Sequence, residues 1–470
     1  MKPQSTMPGN AAAYADTKPT RVRWGILAVL FIVTTINYAD RATISIAGPE
    51  LKKLLDLSPV QMGFVFSAFA WSYVLAQLPG GWLLDRFGSK ITYFFSIFLW
   101  SVFTLMVGWV GFFTGATAVM LLFTLRLLVG AAESPAFPGN SRITSAWFPT
   151  AERGTAAAIF NSAQYFATVL FAPLMGWLVH TYGWQSVFYV MGGLGIVMAL
   201  VWRKTIYGPK DHPRINAAEF AHIESGGGLV DLESDSAHKQ ASKINTWLCI
   251  KELLGNRMLL GIYIGQYCIN TLTYFFLTWF PVYLVQERHM TILKAGFIAA
   301  LPAVAGFIGG VLGGLISDSL IRRGNSISLA RKTPIVGGML LSMTMIVCNY
   351  VSADWVVVFV MSAAFFGKGI GALGWAVVAD TSPKEAGGLS GALFNTFGNT
   401  AGITTPIVIG YILQATGSFS GALVFVGANA AVVILSYLFV VGEIKRVEFK
   451  RPVTLALDPA LRHAPQATSH

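Results

Sequence analysis

Asp40 and Arg41 stand side by side in NYADRAT, and Arg126 and Glu133 lie in LRLLVGAAE, all within otherwise apolar runs. Arg126 and Glu133 are two helical turns apart and share a face. Ionised side chains inside an apolar span cost a few kcal/mol and as a rule serve function. Two carboxylates and two guanidinium groups placed this way suggest a protonation network. Burial favours the neutral acid, and a neighbouring arginine favours the ionised one. An anion arriving at the arginine would shift that balance, coupling a proton to the anion. Mutual neutralisation is the plainer reading, but it leaves unexplained why apolar helices carry these charges.

Lys368, in FFGKGIGALGW, has no acid near it on its own helix face, and Asp380 falls near the end of the same span. A lone lysine at this depth pairs across helices, snorkels to the interface, or meets an anionic ligand. Asp85 in GGWLLDRFGSK is followed by Arg86 and Lys90, and Asp318 in GGLISDSLIRRG by Arg322 and Arg323. Both aspartates sit at span ends, where charge-assisted hydrogen bonds would latch neighbouring helices. That is a gating role and not a substrate-binding one. Tyr38, Tyr73, Gln164, Gln266, Asn270, Tyr274, Trp375 and Asn395 complete the polar candidates for a cavity. Amides and phenols offer the donors and acceptors that a hydroxyl-rich solute requires, although each serves equally well in helix–helix contact. Gly306, Gly309, Gly310, Gly313 and Gly314 read as close-packing positions.

The elements that must hold these residues are membrane helices. Hydrophobic residues make up 54% of the 470 positions and charged residues 12%, about half the charged share of a soluble domain. Runs of about 20 apolar residues cross a bilayer. Twelve such spans are predicted near 22–46, 60–84, 91–113, 116–138, 154–179, 184–206, 258–284, 293–317, 333–351, 355–379, 388–414 and 420–442. The fold class is therefore an all-α polytopic membrane protein. Arg21, Arg23, Arg86, Lys90, Arg153, Arg203, Lys204, Arg322, Arg323, Arg331, Lys332, Lys384, Lys445 and Arg446 fall on one side of that topology. Only Lys52, Lys53, Arg288 and Lys294 lie in connections on the other. The asymmetry places both termini in the cytoplasm and explains the net charge of +11 by the bilayer, not by nucleic acid. Cys249, Cys268 and Cys348 are scattered and lack metal-ligand spacing. The polar residues before the first span contain no short apolar core with a cleavage site, so no secretory signal is expected.

An internal repeat organises the chain. Asn161 and Asn395 lie 234 positions apart, as do Pro149 and Pro383, Gly176 and Gly410, and Gly183 and Gly417; Asp85 and Asp318 are 233 apart. Two six-helix halves follow, at 22–206 and 258–442, with tails at 1–21 and 443–470 and a polar linker at 207–257. The linker is expected to hold at most a short surface helix. Its run Gly226–Gly228 has neither the preceding strand nor the following Lys-Ser/Thr of a phosphate loop. Parallel repeats of this kind enclose a substrate site near the membrane midplane.

GGWLLDRFGSK, with its weaker copy GGLISDSLIRRG, resembles the loop signature of the major facilitator superfamily. NYADRA, LRLLVGAAESPAFPGNSR and AWFPTAERGTA resemble its anion:cation symporter family. The resemblance runs from about Arg23 to Glu448. GQYCINTLTYFFLTWFPVYL, ARKTPIVGGMLLSM and FFGKGIGALGWAVVADTSPKE look most like bacterial transporters of hexarates, D-glucarate and galactarate, with D-galactonate carriers next. The resemblance implies two pseudo-symmetric six-helix bundles in a bacterial inner membrane, importing a sugar acid with protons by alternating access. It implies Asp40 and Glu133 as proton sites and Arg126 as the residue coupling them. Arg41 would hold a substrate carboxylate, and Tyr38, Tyr73, Gln164, Gln266, Trp375 and Asn395 would meet hydroxyls. Lys368 departs from the aldonate pattern, which has a neutral residue there, and would supply the second cation a dicarboxylate needs. Sodium coupling remains an alternative to protons. No cofactor is expected; the partners are the anion, protons and the lipid bilayer, and the chain is expected to act as a monomer. A membrane enzyme would need a nucleophile or metal cluster, yet the sequence around Ser390 lacks the glycine of a serine elbow. A receptor-like sensor would need a signalling domain, and both tails are short.

Overall fold

The computed structural model describes residues 18–150, 152–232, 246–383 and 387–448. The side chain of Asp85, Lys384, most of both tails and part of the linker lie outside the described set. Fourteen helices organise the described residues. In the first half these are α1 Val22–Leu54, α2 Pro59–Gln77, α3 Arg86–Phe112, α4 Gly115–Trp147, α5 Thr155–Tyr182 and α6 Gln185–Thr205. The linker contains α7 Ala217–Ser225 and α8 Thr246–Gly255. The second half has α9 Arg257–Gln286, α10 Ile292–Arg322, α11 Ile327–Tyr350, α12 Asp354–Thr381, α13 Gly387–Thr416 and α14 Ser420–Val440.

Eleven of these are long and apolar enough to cross a membrane. The twelfth span, α13, has the length, with 30 residues, but carries Asn395, Asn399, Thr400, Thr404 and Thr405. Its polarity is that of a helix facing a cavity. The helix starts obey local rules and the repeat together. Ser58 caps α2 with a reciprocal bond to Gln61, and Thr291, 233 positions later, caps α10 by accepting from the Lys294 amide.

The face bearing the linker and the start of α1 will be called the linker face, and the opposite one the far face. The halves touch tightly toward the far face. Lys52 donates to Gln286 across them at 3.1 Å, and these two residues are themselves repeat mates. A Cβ placed on Gly63 of α2 would come within 2.5 Å of the Pro406 carbonyl of α13. One placed on Gly296 of α10 would come within 2.8 Å of the Ala172 carbonyl of α5. Toward the linker face a cavity lies between the halves; Asn395 donates to Gln77 of the other half at 3.5 Å, and Trp375 at the cavity edge is 53% exposed.

The described part of the linker packs more closely against the first half than its polar composition implies. Arg21, at the start of α1, makes no side-chain cap. Glu219 of α7 supplies one instead, fully buried, accepting from the amides of Val22 and Arg23 at 3.0 and 3.2 Å, from Thr20 Oγ1 at 2.6 Å and from Arg23 Nη1 at 3.0 Å. An anion at a helix N-terminus also meets the favourable end of the helix dipole. Arg23 in turn binds Glu152, which accepts from His222 of α7 as well. Burial pushes the Glu152 carboxyl up, but these two partners outweigh it and hold the group below its ordinary value. Gly226 and Gly228 fit against Pro149 and Ile223, where a Cβ would have 2.5 and 2.4 Å. Glu219→Ala strands several buried donors and an arginine. It is expected to destabilise the protein by about 2–4 kcal/mol, seen as a lower Tm in detergent, with Glu219→Gln less affected. An unchanged Tm would make the clasp a passive contact.

Candidate functional site

Arg41 is the hinge of the site. Its Nε donates to Glu133 Oε2 at 2.8 Å, with Glu133 fully buried behind it. Its guanidinium lies 4.7–4.9 Å from the rings of Tyr38, Phe69 and Tyr73, an arrangement that holds a cation at a cavity wall without a second acid. Glu133 is placed by a break in α4 at Ser134–Pro135. Proline has no amide to continue the helix; Ser134 Oγ and Ser96 Oγ satisfy the carbonyls of Ala131 and Ala132.

The other two network residues lie deeper. Asp40 accepts from Thr104 Oγ1 of α3 at 2.8 Å and is 2% exposed. Arg126 is equally buried, sits 5.7 Å from the Phe69 ring and feels both Asp40 and Glu133 electrostatically. Among the described residues it makes no ion pair, and its Nε and Nη1 have no partner. The four charges are thus gathered in the first half. Only Arg41 reaches the cavity, while Asp40, Arg126 and Glu133 stand behind its wall.

The cavity measures about 450 Å³, within the range of small-molecule sites. The first half contributes Tyr38, Arg41, Tyr73, Asn161, Gln164 and Tyr165; the second contributes Gln266, Asn270, Tyr274, Lys368, Trp375, Asn395 and Asn399. Tyr274 donates to Asn399 at 3.1 Å, and Asn399 donates to Asn395 at 3.1 Å. Gln266 donates to Asn270 at 3.2 Å. Lys368 is 5% exposed, with its ammonium 5.0 and 5.6 Å from the Phe365 and Tyr165 rings and no ion pair among the described residues. All ten residues expected around a substrate line this one space. Asn161, Tyr165 and Asn399 join them without having been singled out as contacts. Asn161 is the repeat mate of Asn395, and Asn399 lies one turn beyond Asn395, so both carried a legible signal.

The second-half span-end charges pair differently from expectation, while the first-half latch depends on the Asp85 side chain, which lies outside the described residues. Arg86 rests on the Trp82 and Phe87 rings, and Lys90 sits 3.1 Å from the Tyr207 ring centre. Asp318 meets Arg331 of α11 at 3.8 Å, and Arg331 donates to Asp380 of α12 at 2.8 Å. Arg322 and Arg323, at the exposed end of α10, form no ion pair among the described residues. The cation that ties three helices is Arg331, because its place in the first turns of α11 faces both acids.

Two six-helix bundles around a polar central cavity are the architecture of a secondary transporter. The family model of the Major Facilitator Superfamily matches residues 30–331, and the chain belongs to that superfamily. It is 65% identical over 434 residues to a probable galactarate/D-glucarate transporter of Bacillus subtilis, covering 92% of this chain and 95% of that one. It is 41% identical to a D-galactonate transporter of Escherichia coli O6:H1, covering 94% and 99%. The inward open xylose transporter from E. coli shares the fold, with a TM-score of 0.66, 14% identity and coverage of 91% and 98%. The protein is a multi-pass membrane transporter and not an enzyme.

Proposed function

We propose that this protein imports hexarate dianions, D-glucarate or galactarate, together with protons, by rocking its two halves around the central cavity. The observation that carries the reading is a pair of cations facing one space from opposite halves. Arg41 already shares its charge with Glu133, whereas Lys368 has no acid of its own among the described residues. A solute with a carboxylate at each end complements both, and the amides and phenols between them suit its hydroxyls. The 65% identical relative bears the name of a hexarate transporter; the 41% identical one, named for a monocarboxylate, marks D-galactonate as the alternative.

The same geometry supports proton coupling. A substrate carboxylate that draws the Arg41 guanidinium toward the cavity weakens its hold on Glu133, and an acid losing its cation takes up a proton. Proton and anion then bind together and leave together. The linker face, with its basic residues, is read as the cytoplasmic side of the inner membrane, so the cavity opens inward. Asp40 is assigned the second proton site, Arg126 the residue linking the two acids, and the working unit is a monomer.

Lys368→Asn tests the reading. It is expected to weaken hexarate affinity by about 10- to 100-fold, the worth of a charge-assisted hydrogen bond, while leaving galactonate affinity unchanged. Thermal-shift titration of purified protein with both classes measures it. Equal losses for the two, or none for the hexarate, would assign Lys368 a packing role. A wild-type preference for galactonate would favour the alternative substrate, and uptake driven by sodium alone would displace the proton.

A further inference from the structure

Below the Arg41–Glu133 pair, toward the linker face, the first half holds buried polar groups that the cavity does not use. Thr34, Asn37 and Arg41 recur along one face of α1, and Glu133 and Asn140 stand two turns apart on α4. The two faces meet in two rungs. Arg41 binds Glu133 at 2.8 Å, and Asn140 Nδ2 donates to Thr34 Oγ1 at 3.0 Å. Asn37 lies between the rungs. Tyr93 of α3 reaches in from the side, its ring against Gly139 and its hydroxyl facing Asn140 within electrostatic reach of Glu133.

Asn37, Tyr93, Glu133 and Asn140 are each no more than 2% exposed. One polar atom of each has no partner among the described residues: Asn37 Nδ2 and Tyr93 Oη as donors, Glu133 Oε1 and Asn140 Oδ1 as acceptors. Leaving such atoms unmatched costs about 1–3 kcal/mol apiece. Arg41 Nη2, in the upper rung, is a third unpartnered donor, and ordered water, which makes two to four bonds, satisfies such a set. One turn closer to the linker face, a cleft of about 10 Å³ is lined by Ser89, Lys90, Ile143, Ala146, Trp147 and Tyr207, room for about one water. Lys90 precedes Tyr93 by three residues, and Ile143 follows Asn140 by three, so the cleft continues the same line.

We propose that this ladder binds water and is a proton relay from Glu133 to the linker face, separate from the substrate cavity. The inference rests on the proton-coupled reading above. The O–H bond of protonated Glu133 at Oε1 breaks as one forms on the adjacent water. That water passes a proton to the Tyr93 oxygen, while the original Tyr93 proton moves to water in the cleft and on to solvent. Tyr93 ends as it began, and one proton has moved. Asn37 and Asn140 orient the water and do not titrate. Because Arg41 closes the cavity side of Glu133, its proton departs without crossing the substrate.

Tyr93→Phe removes one oxygen and keeps the ring against Gly139. In proteoliposomes it is expected to slow proton-driven hexarate uptake about tenfold or more, as loss of a proton-transfer group does. Substrate counterflow, which moves no net proton, should run at the wild-type rate. Asn140→Leu is expected to show the same split. Proton-driven uptake at the wild-type rate in Tyr93→Phe would overturn the relay, and so would a parallel fall in both activities, the mark of a structural role. A wild-type protein whose accumulation ignores a protonophore would overturn the coupled reading itself and the relay with it.

Discussion

Glu133→Gln is expected to abolish proton-driven accumulation, by about 100-fold or more, while substrate-for-substrate exchange persists. Glutamine retains an oxygen to accept from Arg41 Nε, where Glu133 Oε2 now lies at 2.8 Å, so the arginine keeps its position at the cavity wall. What glutamine lacks is a proton to exchange. Its neutral amide mimics the protonated acid, the form proposed to accompany bound substrate. Exchange requires only that loaded carriers reorient, whereas accumulation requires the proton to come off each cycle. Proteoliposomes with an inward proton gradient, compared with counterflow at equal pH on both sides, separate the two. Loss of both activities would show that Arg41 needs a charged partner to be held at all. Retained accumulation would move the coupling role to Asp40.

The membrane helices and their number were legible because each depends on composition summed over many residues, and the twofold repeat because several single residues recur at one offset. The intramembrane charges were legible one at a time, since a single ion in an apolar run is conspicuous. Their pairing was not. Nothing in spacing says that Arg41 takes Glu133, 92 positions away, or that its neighbour Asp40 turns instead to Thr104. Adjacent residues on a helix point about 100° apart, so which one faces the cavity depends on how the helix is rotated in its bundle. The same limit hid Arg331. Proximity in sequence favoured Arg322 and Arg323 for Asp318, yet those two lie at the exposed end of α10, while Arg331 returns on the next helix. Glu219 was hidden for another reason. A polar linker reads as solvated, and only the uncapped start of α1 shows why one of its acids is buried.

Gly63→Leu is expected to stop uptake while leaving substrate binding measurable, because it acts on the closed far face and not on the cavity. The seal there is built twice, once about each side of the pseudo-twofold axis. Gly63 meets the Pro406 carbonyl, and its counterpart Gly296, 233 positions on, meets the Ala172 carbonyl. A Cβ added at Gly410 would come within 2.6 Å of the Pro59 carbonyl, and the repeat mate Gly176 lies against Gly296 and Ile292. In each case the obstacle is backbone, which cannot turn aside as a side chain would. Overpacking of this kind costs about 1–3 kcal/mol, enough to move a two-state balance by about fivefold to 150-fold. The penalty falls only on the state in which the halves touch at this face, so the halves should part there. Spin labels on Asp56→Cys and His289→Cys, in far-face loops of opposite halves, would report a longer distance in Gly63→Leu than in the parent. A wild-type distance with wild-type uptake would show that the contact yields, and that closure does not depend on the absence of a side chain at position 63.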